Sequence, residues 1–128
     1  MRTIKFRGLD TNGEWVIGDL KQLGSKCFIV PIGGWALQKE YLVKTESVGQ
    51  FTGQTDKNAQ GIYENDIVGY RDDTLGLSKN YRILYVVRYE FGGFIFEPID
   101  PSMEKEPTTL PVTIIGNITD NPELMEGK

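Results

Sequence analysis

The clearest pattern along the chain is an alternation between residues 81 and 91. The odd positions Tyr81, Ile83, Tyr85, Val87, Tyr89 and Phe91 are all apolar or aromatic, and the even positions mix Arg82, Leu84, Val86, Arg88 and Glu90. A period of two points to a β-strand with its odd face on a core. Gly92-Gly93 then predicts a primed hairpin turn into a partner strand over Phe94–Ile99. Ile4–Leu9 and Trp15–Leu20 read as a second strand pair, joined through Asp10-Thr11-Asn12-Gly13 with its Asn-Gly turn signal. Alternation puts Ile4 and Phe6 on one face, matched across the turn by Trp15 and Ile17 as core partners, with Lys5 and Arg7 opposite. Shorter strands are expected at Lys26–Pro31, Tyr41–Lys44, Asp66–Tyr70 and Pro111–Thr119. Asn121-Pro122-Glu123 has the cap, proline and acid of a short terminal helix.

Between these strands, Val48–Tyr70 holds the densest turn chemistry. Gly53 breaks a short alternation, and Asp56-Lys57-Asn58 favours a turn because Asp and Asn side chains bond their own backbone. Gly61 punctuates again, and Glu64-Asn65-Asp66 reads as a tight turn in which Asn65 takes a positive φ. Arg71–Asn80 is polar, charged and loop-like.

These turns also carry a resemblance. Gln50-Phe51-Thr52-Gly53, Asp56-Lys57-Asn58 and Ile62-Tyr63-Glu64-Asn65-Asp66-Ile67-Val68 are similar to a pattern of the YopX family of phage and prophage proteins. Ile4-Lys5-Phe6-Arg7 resembles the opening strand of that family, and Ile115-Gly116-Asn117-Ile118 with Asn121-Pro122-Glu123-Leu124 its closing motif. Ala59 and Asn65 stand where the family usually has glycine. The resemblance implies a mainly β fold and a phage origin, and brings no catalytic residues with it.

Composition narrows the rest. At 128 residues, with 25% charged and 39% hydrophobic positions, the chain suits one domain spanning 1–128. The expected fold is mainly β, built from hairpins into a partly closed barrel with one or two short helical turns. No apolar run approaches the roughly 20 residues of a membrane helix. Met1-Arg2-Thr3-Ile4-Lys5 lacks the apolar core of a signal peptide, which predicts a cytoplasmic protein of the bacterial host. Charge is uneven. Residues 1–60 hold eight Lys/Arg and six Asp/Glu, or +2, and residues 61–128 hold six and twelve, or −6, for a net −4. An acidic chain disfavours duplex DNA, whose binding draws on phosphate neutralisation, without excluding a local basic face.

Candidate chemistry is sparse. With no histidine and one cysteine, Ser–His and Cys–His pairs and thiolate metal cages are impossible. Cys27 lies among Phe28-Ile29-Val30 and reads as a buried thiol. Glu64 and Asp66 would share one side of a strand, as a metal-holding pair or as plain turn residues. Asp56-Lys57-Asn58 lacks the later glycine and glutamate of a calcium loop, and no phosphate-binding glycine pattern is present. Lys5, Arg7, Arg82 and Arg88 are either an anion-facing set or solvated charges. Trp35, beside Gly33-Gly34, is either a binding handle or a core residue. These five are the partner-binding candidates, while Gly53, Asp56, Asn58, Gly61, Asn65 and Asp66 are assigned to turn architecture. The expectation is a non-enzymatic module without cofactor or metal that binds a host or phage protein. A nucleic-acid-associated β-barrel is the alternative. Strand edges such as Tyr81–Phe91 also predict a homo-oligomer, because pairing copies would cover them.

Overall fold

The computed structural model describes residues 3–33, 39–71 and 82–126. Among them are eleven β-strands and two isolated 3₁₀ turns, so the fold is mainly β, as the alternation predicts. The chain divides into two compact units, Met1–Gly53 and Gln54–Lys128.

The first unit contains β1 (Phe6–Leu9), β2 (Trp15–Leu23), β3 (Lys26–Pro31), β4 (Tyr41–Val43) and β5 (Gly49–Thr55), which runs across the unit boundary. Their order in the sheet is β4-β3-β2-β1-β5, and each neighbouring pair runs antiparallel. The sheet curls until β4 returns to the end of β1. Asp10 bridges Val43 there, and the Lys44 amide donates to the Leu9 carbonyl at 2.9 Å. One such contact is short of a ladder, so the curl stops before becoming a continuous barrel. Inside it, Cys27, Ile29 and Val43 are buried against Phe6, Val16, Leu20 and Val48. Gly8 permits this closure, because a Cβ at that position would lie 2.7 Å from Val43 Cγ2. Ser47 locks the rim, accepting from the Leu9 amide and donating to the Lys44 carbonyl.

The β1–β2 register corrects one expectation. The hairpin loop is Thr11-Asn12-Gly13, three residues with Gly13 at φ 79°. Leu9 therefore pairs with Trp15 and Arg7 with Ile17, while Val16 falls opposite Gly8. A change of one residue in register exchanges the faces of a strand. Val16 and Leu20 thus supply the core, Trp15 and Ile17 share the outer face with Arg7, and Ile4 is exposed.

In the second unit, β6 (Gly61–Tyr63) follows the Asp56 turn. A five-stranded antiparallel sheet then runs β10-β9-β8-β7-β11, with β7 Asp66–Tyr70, β8 Ile83–Glu90, β9 Gly93–Pro98, β10 Glu106–Pro107 and β11 Thr113–Asn117. Its core is Ile62, Val68, Tyr85, Val87, Phe96 and Val112. Asn65, at φ 75°, ties this unit together, donating its amide to Val87 and accepting from the amide of Ile118. The second 3₁₀ turn, Pro122–Glu126, is the short terminal helix anticipated from its cap.

The long alternation forms β8 as expected, with Tyr85 and Val87 in the core. Its outer end departs from the prediction. Glu90 pairs with Gly93, so the two-residue turn is Phe91-Gly92, not Gly92-Gly93. Both have positive φ, 52° and 81°, which is the primed geometry. Phe91 is consequently fully exposed and Tyr89 half exposed, because the core ends before the hairpin does. Val86, an even position, is buried as well. β8 also lies at the centre of its sheet, so the exposed edge anticipated there does not exist. Tyr81, Trp35 and residues 72–80 of the segment expected to be a loop lie outside the described residues.

Candidate functional site

Arg7 in β1 and Lys5 just ahead of that strand lie on the outer face of the first sheet, with aromatic rings beside them. The Arg7 guanidinium stands 4.8 Å from the Trp15 ring centroid and the Lys5 ammonium 4.7 Å from that of Phe51. Further along, Lys21 pairs with Phe28 and lies 6.0 Å from its ring. At such partly exposed sites a cation–ring contact contributes about 0.5–1 kcal/mol. Lys21 is also engaged by Glu40 at 2.7 Å, which offsets its charge.

The other two basic candidates belong to the second unit. Arg88 sits in β8 opposite Ile95, on the face away from Tyr85 and Val87, as alternation requires. Arg82 is exposed just ahead of β8, with its side chain passing close to Gly69. Trp35 cannot be placed among the described residues. The four basic candidates therefore occupy two separate units, two in each.

Of the residues assigned to turn architecture, Asn65 has the positive φ described above, whereas Gly61 is the first residue of β6. Gly53 adopts φ 87°. Asp66, almost wholly buried, accepts from the Tyr63 amide at 2.8 Å across the Glu64-Asn65 turn. Asp56 accepts from the amides of Asn58, Gln60 and Ile114. Burial of this carboxyl would raise its pKa, but the amides of Ile114, Gln60 and Asn58 together bring it below the ordinary aspartate value. Among the described residues no three His, Cys, Asp or Glu side chains gather as a metal site.

The feature that sequence reasoning missed is the tip of the β8–β9 hairpin. Tyr89 and Phe94 pair across it with ring centroids 5.0 Å apart at 75°, an edge-to-face contact. Beyond them Phe91 is 100% exposed, at a φ of 52° that bulky side chains rarely adopt. Such a backbone costs about 1–2 kcal/mol for a residue with a Cβ, where glycine or asparagine would be cheaper. At the flank of the tip Glu90 holds Lys105 at 2.6 Å, and this hydrogen bond raises the lysine above its ordinary pKa. The only sequence signal for the tip was the ambiguity of three turn-forming positions, Phe91-Gly92-Gly93.

Comparison with known proteins adds a family but no activity. No curated protein matches the chain. Among solved structures, the crystal structure of protein EF1440 from Enterococcus faecalis is similar, with 22% identity and a TM-score of 0.56. The similarity covers 98% of this chain and 100% of that one, and it supports the fold alone. A family described as YopX protein matches residues 5–126, nearly the whole length. That span contains the central and closing motifs described above and all of the opening one but Ile4, and the chain belongs to the YopX family.

Proposed function

We propose that this chain is a non-enzymatic interaction module of a phage or prophage, working in the cytoplasm of the bacterial host. Its β8–β9 tip would dock into an apolar pocket of a host or phage protein. The observation that carries this reading is Phe91, a large apolar side chain held fully in solvent on a backbone that disfavours it. Strained and exposed aromatic positions of this kind concentrate at contact sites, where one buried anchor supplies much of the binding energy. Tyr89 and Phe94 widen the apolar surface behind it. The absence of histidine from the sequence and the single buried cysteine fit a role without nucleophilic chemistry.

The test is capture from infected or lysogenic cells with tagged wild type and Phe91→Asn side by side, each with and without nuclease. A protein retained by wild type after nuclease and lost with Phe91→Asn supports the reading. Equal capture by both contradicts it. Capture of the chain's own untagged copy would identify the partner as a second copy, making the module a homo-oligomer through its tip.

A nucleic-acid reading has one observation in its favour. Three cation–ring pairs share the outer face of the first sheet, and basic residues beside aromatic platforms hold single strands elsewhere. The engagement of Lys21 by Glu40 and the net charge of −4 weigh against it. Oligonucleotide binding that appears at low salt and weakens steeply with added salt would support it.

A further inference from the structure

The second unit contains an open cavity of about 400 Å³, which lies within the size range of small-ligand sites. Tyr70 from the end of β7 and Ile83 and Tyr85 from the start of β8 form its apolar wall. Tyr85 is a rigid part of that wall, 2% exposed and packed on Phe96 with ring centroids 6.1 Å apart. The opposite side is the segment that leads into β10, which contributes Met103, Glu104 and Glu106.

That segment sorts its charges. Lys105 turns away and is tied to Glu90 at 2.6 Å, while its two neighbours, Glu104 and Glu106, line the cavity. Neither carboxylate has an ion-pair partner among the described residues. The residues from 54 to 128 reinforce this local field, with thirteen acids against seven bases. Anions are disfavoured at such a site. A cation gains from the two carboxylates and from the faces of tyrosine rings.

We propose that this cavity binds an organic cation, an ammonium or guanidinium carried on an apolar stem. The stem lies along Tyr70, Ile83 and Tyr85, and the charged head reaches Glu104 and Glu106. The site is independent of the hairpin tip and does not rest on the reading given for it. Two sources share this chemistry, a free amine and the side chain of a lysine or arginine in another protein.

The experiment is amide NMR titration of the full chain at low salt with 2-phenylethylammonium, with N-acetyl-arginine amide, and with 3-phenylpropionate as the charge-reversed control. Either cation should shift the resonances of Tyr70, Glu104 and Glu106, and 3-phenylpropionate should not. A response to the aryl amine alone indicates a free amine, and a response to the capped arginine indicates a protein side chain. The double variant Glu104→Gln/Glu106→Gln should weaken binding at least tenfold with an unchanged melting temperature. Met103→Trp, which fills the space without altering charge, should abolish binding. The proposal is overturned if neither cation shifts these residues, if 3-phenylpropionate binds equally well, or if either variant binds like wild type.

Discussion

Asp10 and Asp56 build the same turn twice. Oδ1 of Asp10 accepts from the amides of Asn12 and Glu14 at 2.8 and 2.9 Å, and Oδ1 of Asp56 accepts from Asn58 and Gln60 at the same two distances. Each Asp amide donates to the residue four positions on, and each Asp carbonyl accepts from the residue three positions on. Asp-x-Asn followed by a residue with positive φ, Gly13 or Ala59, is the shared formula. The turns differ at the second oxygen. Oδ2 of Asp56 accepts from the Ile114 amide at 3.0 Å, and the Lys57 amide donates to the Val112 carbonyl, so this turn is sewn to the segment around β11.

Removing the two carboxylates should therefore have unequal effects. Asp56→Ala leaves three amides of part-buried hydrogen bonds without their acceptor, and we expect a loss of about 2–4 kcal/mol. Asp10→Ala should cost about 1–2 kcal/mol, since two amides in a local turn lose their acceptor. Urea denaturation of the two variants measures the difference, and equal losses would contradict the role given to the Ile114 contact.

The same carboxylate sets an acid limit. The folded protein holds Asp56 below its ordinary pKa, so it stays ionised at a lower pH than in the unfolded chain. Its contribution is complete above the unfolded value of about 3.9 and is lost as the pH falls through the lower folded value. Wild type should lose stability over that interval, and Asp56→Asn should show a shallower decline. Chemical denaturation from pH 6 to pH 2 would reveal it.

Ala59 occupies a site that glycine fits better, at φ 62° with its Cβ in the left-handed region. Ala59→Gly should stabilise the protein by about 0.5–1 kcal/mol, against the usual entropic penalty of glycine. Asn65→Ala, at φ 75°, should destabilise by a similar amount because asparagine tolerates that region better than alanine. Thermal melts of both variants check the signs.

Gly8 tests the curl of the first sheet. A methyl group there would press on Val43 at Cβ as well as at both Cγ atoms, so side-chain rotation cannot relieve it. Gly8→Ala should cost about 1–3 kcal/mol, the usual penalty for overpacking. Gly13→Ala would instead be strained by its backbone, with open space around the new methyl group.

The mainly β character, the Asn65 turn and the core placement of Tyr85 and Val87 in β8 were legible because alternation and turn chemistry are local signals. What was not legible depended on single residues of register. Asp10-Thr11-Asn12-Gly13 contains an Asn-Gly pair, yet the aspartate side chain captures two amides and selects the three-residue loop. That choice sent Trp15 and Ile17 outward beside Arg7. At the other hairpin Phe91 rather than Gly93 entered the turn, which alternation alone cannot decide. The cavity pairs Tyr70 and Tyr85 with Glu104 and Glu106, residues brought together only by tertiary structure.

If Phe91 is retained for contact at the expense of folding, the stability of Phe91→Gly reveals it most directly. Glycine accepts the φ of 52° without strain, and no packing is lost from a fully exposed side chain. We predict a melting temperature equal to or above that of wild type. A fall of several degrees would show that Phe91 supports the fold itself, and would contradict its role as a docking residue.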